Sequence, residues 1–288
     1  MEDLARVLAR VVKEQRGKPL TRRFIITEGL FENTGQVVDL ATVVDLKHKY
    51  KFRLMLDETW SFGVLGRTGR GVTESQHVDS AEVDMLVGNI SGALAGAGGF
   101  CAGSDDVVEH QRITSASYTF SAALPAMAAV TASETLMMLQ TQPELIQNLR
   151  EAVRTMWTQL DPRSDWVRCT SMMENPIMLL VLKPEVVSSR RLGVDEQMGL
   201  LQEIVDEVSR MCVCAESRLA DLIQCLSQGV LITRVKSLSP DMPGVKTTIY
   251  SQQPALKICL TIGLSKKELE KAGTTIRHAI TKIMTKKR

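Results

Sequence analysis

The sequence predicts a two-part α/β protein, and three observations carry the prediction. Phe24-Ile25-Ile26-Thr27, a helical repeat over Val37 to Tyr50, and Phe52 to Asp57 follow one another through connections of a few residues. That order builds a parallel sheet covered by helices. A long helical region from Ala122 to about Leu160, interrupted near Gln142-Pro143, ends in Asp161-Pro162-Arg163-Ser164, where loop composition marks a boundary between parts 1–160 and 161–288. Finally, 288 residues with 44% apolar and 24% charged content suffice for two cores.

The elements follow in order. Leu4, Val7, Leu8, Val11 and Val12 recur at helical spacing with Arg6, Arg10 and Glu14 between them, so a helix runs over 2–16 and stops at Gly17. Its acidic residues disfavour a lipid surface and place it against the sheet. Phe24 to Thr27 reads as a buried strand, Glu32-Asn33-Thr34-Gly35 as a turn, Val37 to Tyr50 as a helix, and Phe52 to Asp57 as the next strand. A glycine-dense stretch, Gly88 to Gly103, precedes the long helical region.

In the second part Ile177 to Leu182 reads as a strand, Asp195 to Ser217 as a helix, and Leu256 to Ile262 as a strand. Ser265-Lys266-Lys267-Glu268 is a capping box, in which serine and glutamate side chains each satisfy an otherwise orphaned N–H, and it opens a helix to about Ile283. These elements predict a small α+β domain. The charged run Val186 to Gly199 and the polar run Ser237 to Gln253 read as loops.

Composition excludes several functions. A net charge of +2 with mixed signs leaves no footprint for nucleic acid, and Lys282, Lys286, Lys287 and Arg288 read as a solvated tail. Six cysteines without Cys-x-x-Cys spacing predict reduced, buried thiols. Four scattered histidines, His48, His77, His110 and His278, support neither a metal site nor a triad. The acidic start Met1-Glu2-Asp3-Leu4 is no signal peptide, and no apolar run is long enough for a transmembrane helix.

An Asp at the carboxyl end of a parallel strand stands where open α/β sheets place ligands, and Asp57 is such a residue. The runs Glu28-Gly29-Leu30-Phe31, Leu46-Lys47-His48-Lys49-Tyr50 and Leu56-Asp57-Glu58-Thr59-Trp60-Ser61-Phe62-Gly63, continuing to Gly71, resemble the α-oxoamine synthases. These are fold-type I pyridoxal phosphate enzymes that condense an amino acid with an acyl-CoA. The resemblance implies a partial fold-type I aminotransferase-like large domain, parallel-rich, followed by a small C-terminal α+β domain.

In catalytic members an Asp pairs with the pyridinium nitrogen, a His reaches the ring hydroxyl, and a Lys six residues before a Gly-Gly pair forms the imine. Here the pair is Gly98-Gly99, Gly92 stands at the lysine position, and Trp60 at the histidine position. The lysine test also holds without alignment, because no lysine occurs between Lys51 and Lys183. Imine chemistry needs an amine, so no catalytic residue is assigned and the chain holds no covalent cofactor of its own. Two readings of Asp57 stay open, a cofactor contact and the cap of a turn.

Gly98-Gly99-Phe100-Cys101, Asp106-Val107-Val108-Glu109-His110-Gln111-Arg112 and Tyr118-Thr119-Phe120-Ser121-Ala122-Ala123-Leu124-Pro125 narrow the resemblance to the non-catalytic long-chain-base subunits of serine palmitoyltransferases. Such subunits lack the lysine and pair with a lysine-bearing second subunit, which binds pyridoxal 5'-phosphate covalently and condenses L-serine with palmitoyl-CoA. The resemblance implies that Thr119 and Ser121 help hold the phosphate of the partner's cofactor; alternatively, Ser121 caps the helix entering at Leu124. It also implies a subunit interface at His110-Gln111-Arg112 and work at the endoplasmic reticulum membrane, reached through the partner or a missing N-terminal segment.

The glycines at 63, 66, 69 and 71 do not reproduce Gly-x-Gly-x-x-Gly and are expected to shape an interface loop. Arg67 and Arg70 on it face an acyl-CoA phosphate, a partner carboxylate, or solvent. Relative to that subunit group the chain reads as N-terminally truncated, which predicts an uncovered sheet edge and apolar face. Two further readings are a homodimeric α-oxoamine synthase with its own cofactor, opposed by the missing lysine, and a truncated competitor of the full subunit.

Overall fold

The protein's structure, a computed structural model, describes residues 1–19, 22–212, 231–235 and 253–286. It forms two compact units, Met1–Phe31 with Val37–Ile146, and Glu32–Gln36 with Gln147–Arg288.

In the first unit, helix α1 (Glu2–Glu14) turns Leu8 inward, flanked by Leu4, Val11 and Val12, as the sequence spacing requires. Strands β1 (Phe24–Glu28), β2 (Arg53–Asp57), β3 (Met85–Asn89) and β4 (Gly99–Gly103) form a sheet in the order β1-β2-β3-β4. The first three are parallel and β4 is antiparallel to β3. Helix α2 (Leu40–Tyr50) starts where Asp39 accepts the Thr42 N–H at 3.2 Å, and stops at Lys51 with φ 58°. It packs Val43, Val44 and Leu46 with α1 on Ile25, Leu54 and Leu56.

β1 departs from the buried strand expected at 24–27. Only Ile25 is buried, whereas Ile26 is 70% exposed and Phe24 38%. Alternating side chains point to opposite faces of a strand, and α1 and α2 cover one face only. A charge network reaching from the half-buried Asp84 to exposed Arg53 ties α2 to the sheet: the Asp84 carboxylate accepts from Lys47 Nζ at 2.9 Å, Arg53 at 2.6 Å and the Leu54 N–H at 2.9 Å.

Beyond a one-turn helix α3 (Val72–Ser75) and a 3-10 turn at Ser80–Glu82, the unit continues with α4 (Asp105–Thr114), α5 (Ala116–Phe120) and α6 (Ala126–Thr141). α6 begins after Pro125 rather than at Ala122, since a residue preceding proline is disfavoured in the α region. β3, β4, α4 and α5 were not expected from the sequence.

The second unit begins within α7 (Glu144–Leu160). Its core collects Val153, Met156 and Leu160 of that helix, which is why residues 147–160 group with the second unit and not with residues 1–146. Strands β5 (Val167–Cys169), β6 (Ile177–Leu182), β7 (Leu231–Arg234) and β8 (Leu256–Cys259) form an antiparallel sheet in the order β5-β6-β8-β7. All six β6 residues are buried. Helices α9 (Val194–Cys212) and α10 (Lys266–Thr285) complete the core through Leu201, Ile204, Ile276 and Ile280.

The capping box is present: the Ser265 N–H donates to Glu268 Oε2 at 2.8 Å and the Glu268 N–H to Ser265 Oγ at 3.4 Å. The segment Glu32–Gln36 joins this unit because the Gly35 carbonyl accepts from buried Asn175 Nδ2 at 3.0 Å, and Glu32 pairs with Lys257.

Three expectations are corrected in this unit. Residues 186–199 are no loop: α8 (Pro184–Arg190) and the start of α9 occupy them, with Val186 and Leu192 packed on the core. Lys282 is not part of a solvated tail, since its Nζ bonds Glu207 Oε1 at 2.6 Å. Cys169 and Cys259, like Cys101 of the first unit, are free thiols but half-buried. Burial raises Cys169 to a pKa of about 11, so it stays a thiol. The expected polar loop at 237–253 lies outside the described residues except for residue 253.

Candidate functional site

Parallel strands aim their carboxyl ends the same way, and β1–β2–β3 bring Glu28, Asp57 and Val87 into register there. Asp57 is half-buried and its Oδ1 accepts the Thr59 N–H at 2.8 Å, so it closes a turn over its own strand end. The next residue is the one with no access to water. Glu58 N–H donates to the Val87 carbonyl at 2.8 Å, and its buried carboxylate accepts the Val72 N–H at 3.0 and 3.1 Å and the Ser61 hydroxyl.

Burial pushes the Glu58 carboxyl above the ordinary carboxylate range, with the neighbouring Asp57 adding to the push. Hydrogen bonds from Ser61, Val72 and Thr73 oppose it without cancelling it. Between these anchors the loop folds on itself, Gly63 N–H to the Gly69 carbonyl at 2.7 Å and Gly71 N–H to the Leu65 carbonyl at 3.0 Å.

Gly71 has φ 91°, and a Cβ there would stand 2.5 Å from Glu58 Oε2, so both conformation and space require glycine. A second carboxylate, Glu74, accepts the Thr68 N–H at 3.0 Å, the Thr68 hydroxyl at 2.9 Å and the Arg70 N–H at 3.2 Å. Burial alone would raise the Glu74 carboxyl, but these donors and the Arg70 charge hold it below the usual range. The loop is thereby fixed from both ends, with Arg67 and Arg70 turned to solvent.

Gly92 is a different kind of glycine. Its φ is not positive, and an added Cβ would meet only the Thr59 carbonyl at 3.9 Å. A side chain fits there, beside the Asp57 turn, so neither space nor backbone conformation demands glycine. Trp60, also half-buried, packs on the β1–β2 core.

The structure brings Asp57 and Gly92 together around Thr59, while Thr119 and Ser121 stand exposed with local bonds. The Thr119 N–H donates to the Ser115 carbonyl, and Ser121 Oγ to the Ser117 carbonyl. Ser121 therefore ends α5 and does not cap the helix after Leu124, which has Pro125 at its cap. In the expected interface segment, His110 and Arg112 are exposed, Arg112 pairs with Glu109, and Gln111 Nε2 reaches Cys101 Sγ at 3.2 Å.

The anchors Glu58 and Glu74 were missed by sequence reasoning. The available signal was a carboxylate on each side of a four-glycine run, at positions 58 and 74.

These residues do not fit covalent retention of pyridoxal phosphate. Residue 92 carries no side chain, and no lysine lies between residues 51 and 183 to supply an amine. The site offers a turn-bound carboxylate, an indole and backbone amides, a set that can position or support but supplies no amine nucleophile.

Likeness to known proteins agrees with this geometry. Serine palmitoyltransferase 1 of Dictyostelium discoideum is 30% identical over 280 residues, covering 96% of this chain and 53% of the relative. Serine palmitoyltransferase 1 of Saccharomyces cerevisiae is 32% identical over 289 residues, covering 97% and 51%. The chain thus spans about half the length of these curated relatives. A solved structure described as SPT with PLP matches with a TM-score of 0.71 at 18% identity, over 96% of this chain and 59% of that one, a likeness of fold. The model of the family Aminotransferase class I and II runs through both units, matching residues 1–276. With the parallel β1–β3 sheet, the strand-end aspartate and this continuous match in agreement, the chain belongs to the class I and II aminotransferase family.

Proposed function

We propose that this chain is a non-catalytic subunit of serine palmitoyltransferase. It supports a lysine-bearing partner that condenses L-serine with palmitoyl-CoA to 3-ketodihydrosphingosine in sphingolipid synthesis. One observation carries the reading: the strand-end aspartate and the clamped glycine loop are kept, while residue 92 is glycine in a span without lysine. The names of the curated relatives support the same reading.

In this reading the partner binds pyridoxal 5'-phosphate covalently, and Thr119 and Ser121 lend hydroxyl donors to its phosphate. Asp57 holds its turn in place through Oδ1, which is compatible with its reading as a cofactor contact. Among the described residues no helix is long and apolar enough to cross a membrane, and in this reading attachment to the cytosolic face of the endoplasmic reticulum comes through the partner or through an N-terminal segment outside this sequence.

Co-expression with the lysine-bearing subunit tests the proposal. A stable heterodimer with condensation activity above that of the lysine-bearing subunit alone is expected. Binding with lowered activity would mark the chain as a competitor of a full subunit. A borohydride-reducible cofactor on this chain alone would overturn the proposal in favour of a homodimeric synthase.

A further inference from the structure

Charge is unevenly placed in the first unit. Helix α1 opens on Glu2 and Asp3 and α2 on the Asp39 cap, while both close on bases. Their carboxyl ends lead to the amino edge of the sheet, where β1 and β2 start side by side. There the Arg53 N–H donates to the Arg23 carbonyl at 2.9 Å, and the Arg23 guanidinium stands 5.9 Å from the centre of the Phe52 ring. Arg16, Lys18, Arg22, Arg23, Lys49 and Lys51 gather at this edge. All but half-buried Arg23 are exposed, and none makes an ion pair among the described residues. Acids that reach the same edge are engaged elsewhere: Glu14 with Arg10, Glu82 with His48, and Asp84 with Lys47 and Arg53. Asp45, one helical turn before Lys49, offsets at most one of the bases. A helix dipole attracts bases only within its last turn, so it accounts for Lys49 and not for Lys18, Arg22 or Arg23.

The bases have an apolar companion. Phe24 and Ile26, two residues apart and so on one face of edge strand β1, are 38% and 70% exposed. A cluster of about four to eight bases is drawn to anionic lipid headgroups, and apolar area set below the headgroups adds to that attraction. Helix α1 is not itself the membrane element, since its apolar stripe lies on the sheet. Two other polyanions fit less well. A peptide strand added at the β1 edge runs beside Arg22 and Arg23, but strands stand ~4.8 Å apart, so β1 and β2 separate it from Lys49 and Lys51. A nucleic acid strand takes aromatic platforms, whereas Ile26 offers no ring and Phe52 is buried. A flat bilayer reaches both connections at once. This edge also lies at the opposite end of β2 from the Asp57 turn, about 13 Å away, so its occupant leaves that turn free.

We infer that the amino edge of the β1–β2 sheet, centred on Arg22, Arg23, Lys49 and Lys51 with Ile26 beside them, docks on a bilayer carrying anionic phospholipid. The contact belongs to this chain itself and does not depend on the function proposed above. The test is co-sedimentation of the full chain, without a partner, with phosphatidylcholine–phosphatidylserine vesicles and with phosphatidylcholine alone. Binding is expected to the first only, and it should weaken as salt rises. One Lys or Arg near an anionic surface is worth roughly five-fold in affinity, so Arg22→Gln with Lys51→Gln should weaken binding at least ~10-fold. Ile26→Ser should weaken it several-fold with the salt dependence kept. Lys266→Gln with Lys267→Gln removes the same charge from exposed positions of α10 and should leave binding unchanged. In the unmodified chain, vesicles should slow acetylation of Lys18, Lys49 and Lys51 but not of Lys266 and Lys267, a readout that needs no variant to fold.

No preference for the anionic vesicles overturns the inference. So does equal weakening by the α10 pair, which would leave net charge as the cause, and so does acetylation of Lys49 and Lys51 that proceeds unslowed on bound chain. Slowing of the same lysines by a single-stranded oligonucleotide or by polyglutamate, but not by vesicles, would make the occupant a nucleic acid or an acidic polypeptide. No second subunit enters the assay, so failure of the co-expression test leaves this result standing, and the reverse holds as well.

Discussion

Replacing Glu58 separates the two things its carboxylate does, accepting hydrogen bonds and carrying charge in a site without water. In Glu58→Ala the Val72 and Thr73 N–H groups and the Ser61 hydroxyl lose their acceptor. Each buried donor left unsatisfied costs about 1–3 kcal/mol. Part of that total returns, because an ionised carboxylate no longer has to be desolvated, and a net loss of about 3 kcal/mol is expected. Glu58→Gln keeps an acceptor oxygen for the two amides and drops the charge, so it should stay within about 1 kcal/mol.

The sign of the pH dependence follows from burial. A carboxyl raised above its unfolded value contributes stability that is complete below the unfolded pKa and lost as pH rises through the folded one. The wild-type loop should therefore lose stability from about pH 4 toward neutrality relative to the Glu58→Gln chain. With two compact units a single unfolding transition is a poor gauge, so the assay is amide exchange at Val72 and Thr73, corrected for intrinsic pH dependence. The Ala variant should exchange ~150-fold faster. Unchanged exchange in that variant would refute the clamp, and identical pH profiles for wild type and Glu58→Gln would refute the assigned cause of the shift.

Other perturbations divide by what they leave behind. Asp84→Asn strands the nearly buried Lys47 ammonium without a counter-charge and should cost about 3 kcal/mol, read from faster amide exchange at Leu54. Burial would raise the Asp84 carboxyl, yet Lys47, Arg53 and the Leu54 N–H hold it low. Its contribution is therefore full above the unfolded carboxyl pKa and lost on acidification through the folded one. Glu207→Gln leaves Lys282 and Arg210 mostly in water and should cost no more than about 1 kcal/mol. Ser265→Ala removes the α10 cap and should lower stability by about 1 kcal/mol. Gly71→Ala should destabilise by at least about 2 kcal/mol, whereas Gly92→Ala should leave amide exchange in the first unit's sheet unchanged or slowed. A destabilised Gly92→Ala chain would show that backbone need, after all, explains the glycine.

Much of the scaffold was legible because local rules wrote it. The α1 stripe, the Ser265 box and the Asp57 strand end each depend on residues within a few positions. What escaped depends on distant partners. β3 and β4 are short, and β4, which begins and ends on glycine, is fixed by pairing with β3, not by its own pattern. Ile26 looks like core in sequence and is surface because helices cover one face of its sheet. Glu58 looks like an ordinary surface carboxylate, and only the return of the chain at Val72 buries it.

The two glycines explain how a chain without the imine lysine, and with Trp60 at the histidine position, still keeps the glycine loop. At Gly71 the backbone and Glu58 leave no alternative, so losing that residue would release the loop. At Gly92 nothing presses on the position, and removing an amine there costs the fold nothing. Chemistry and shape are therefore separable at this strand end. The hydrogen bonds of Glu58 and Glu74 hold the turn's shape whether or not an amine stands at residue 92, and that demand falls on shape alone.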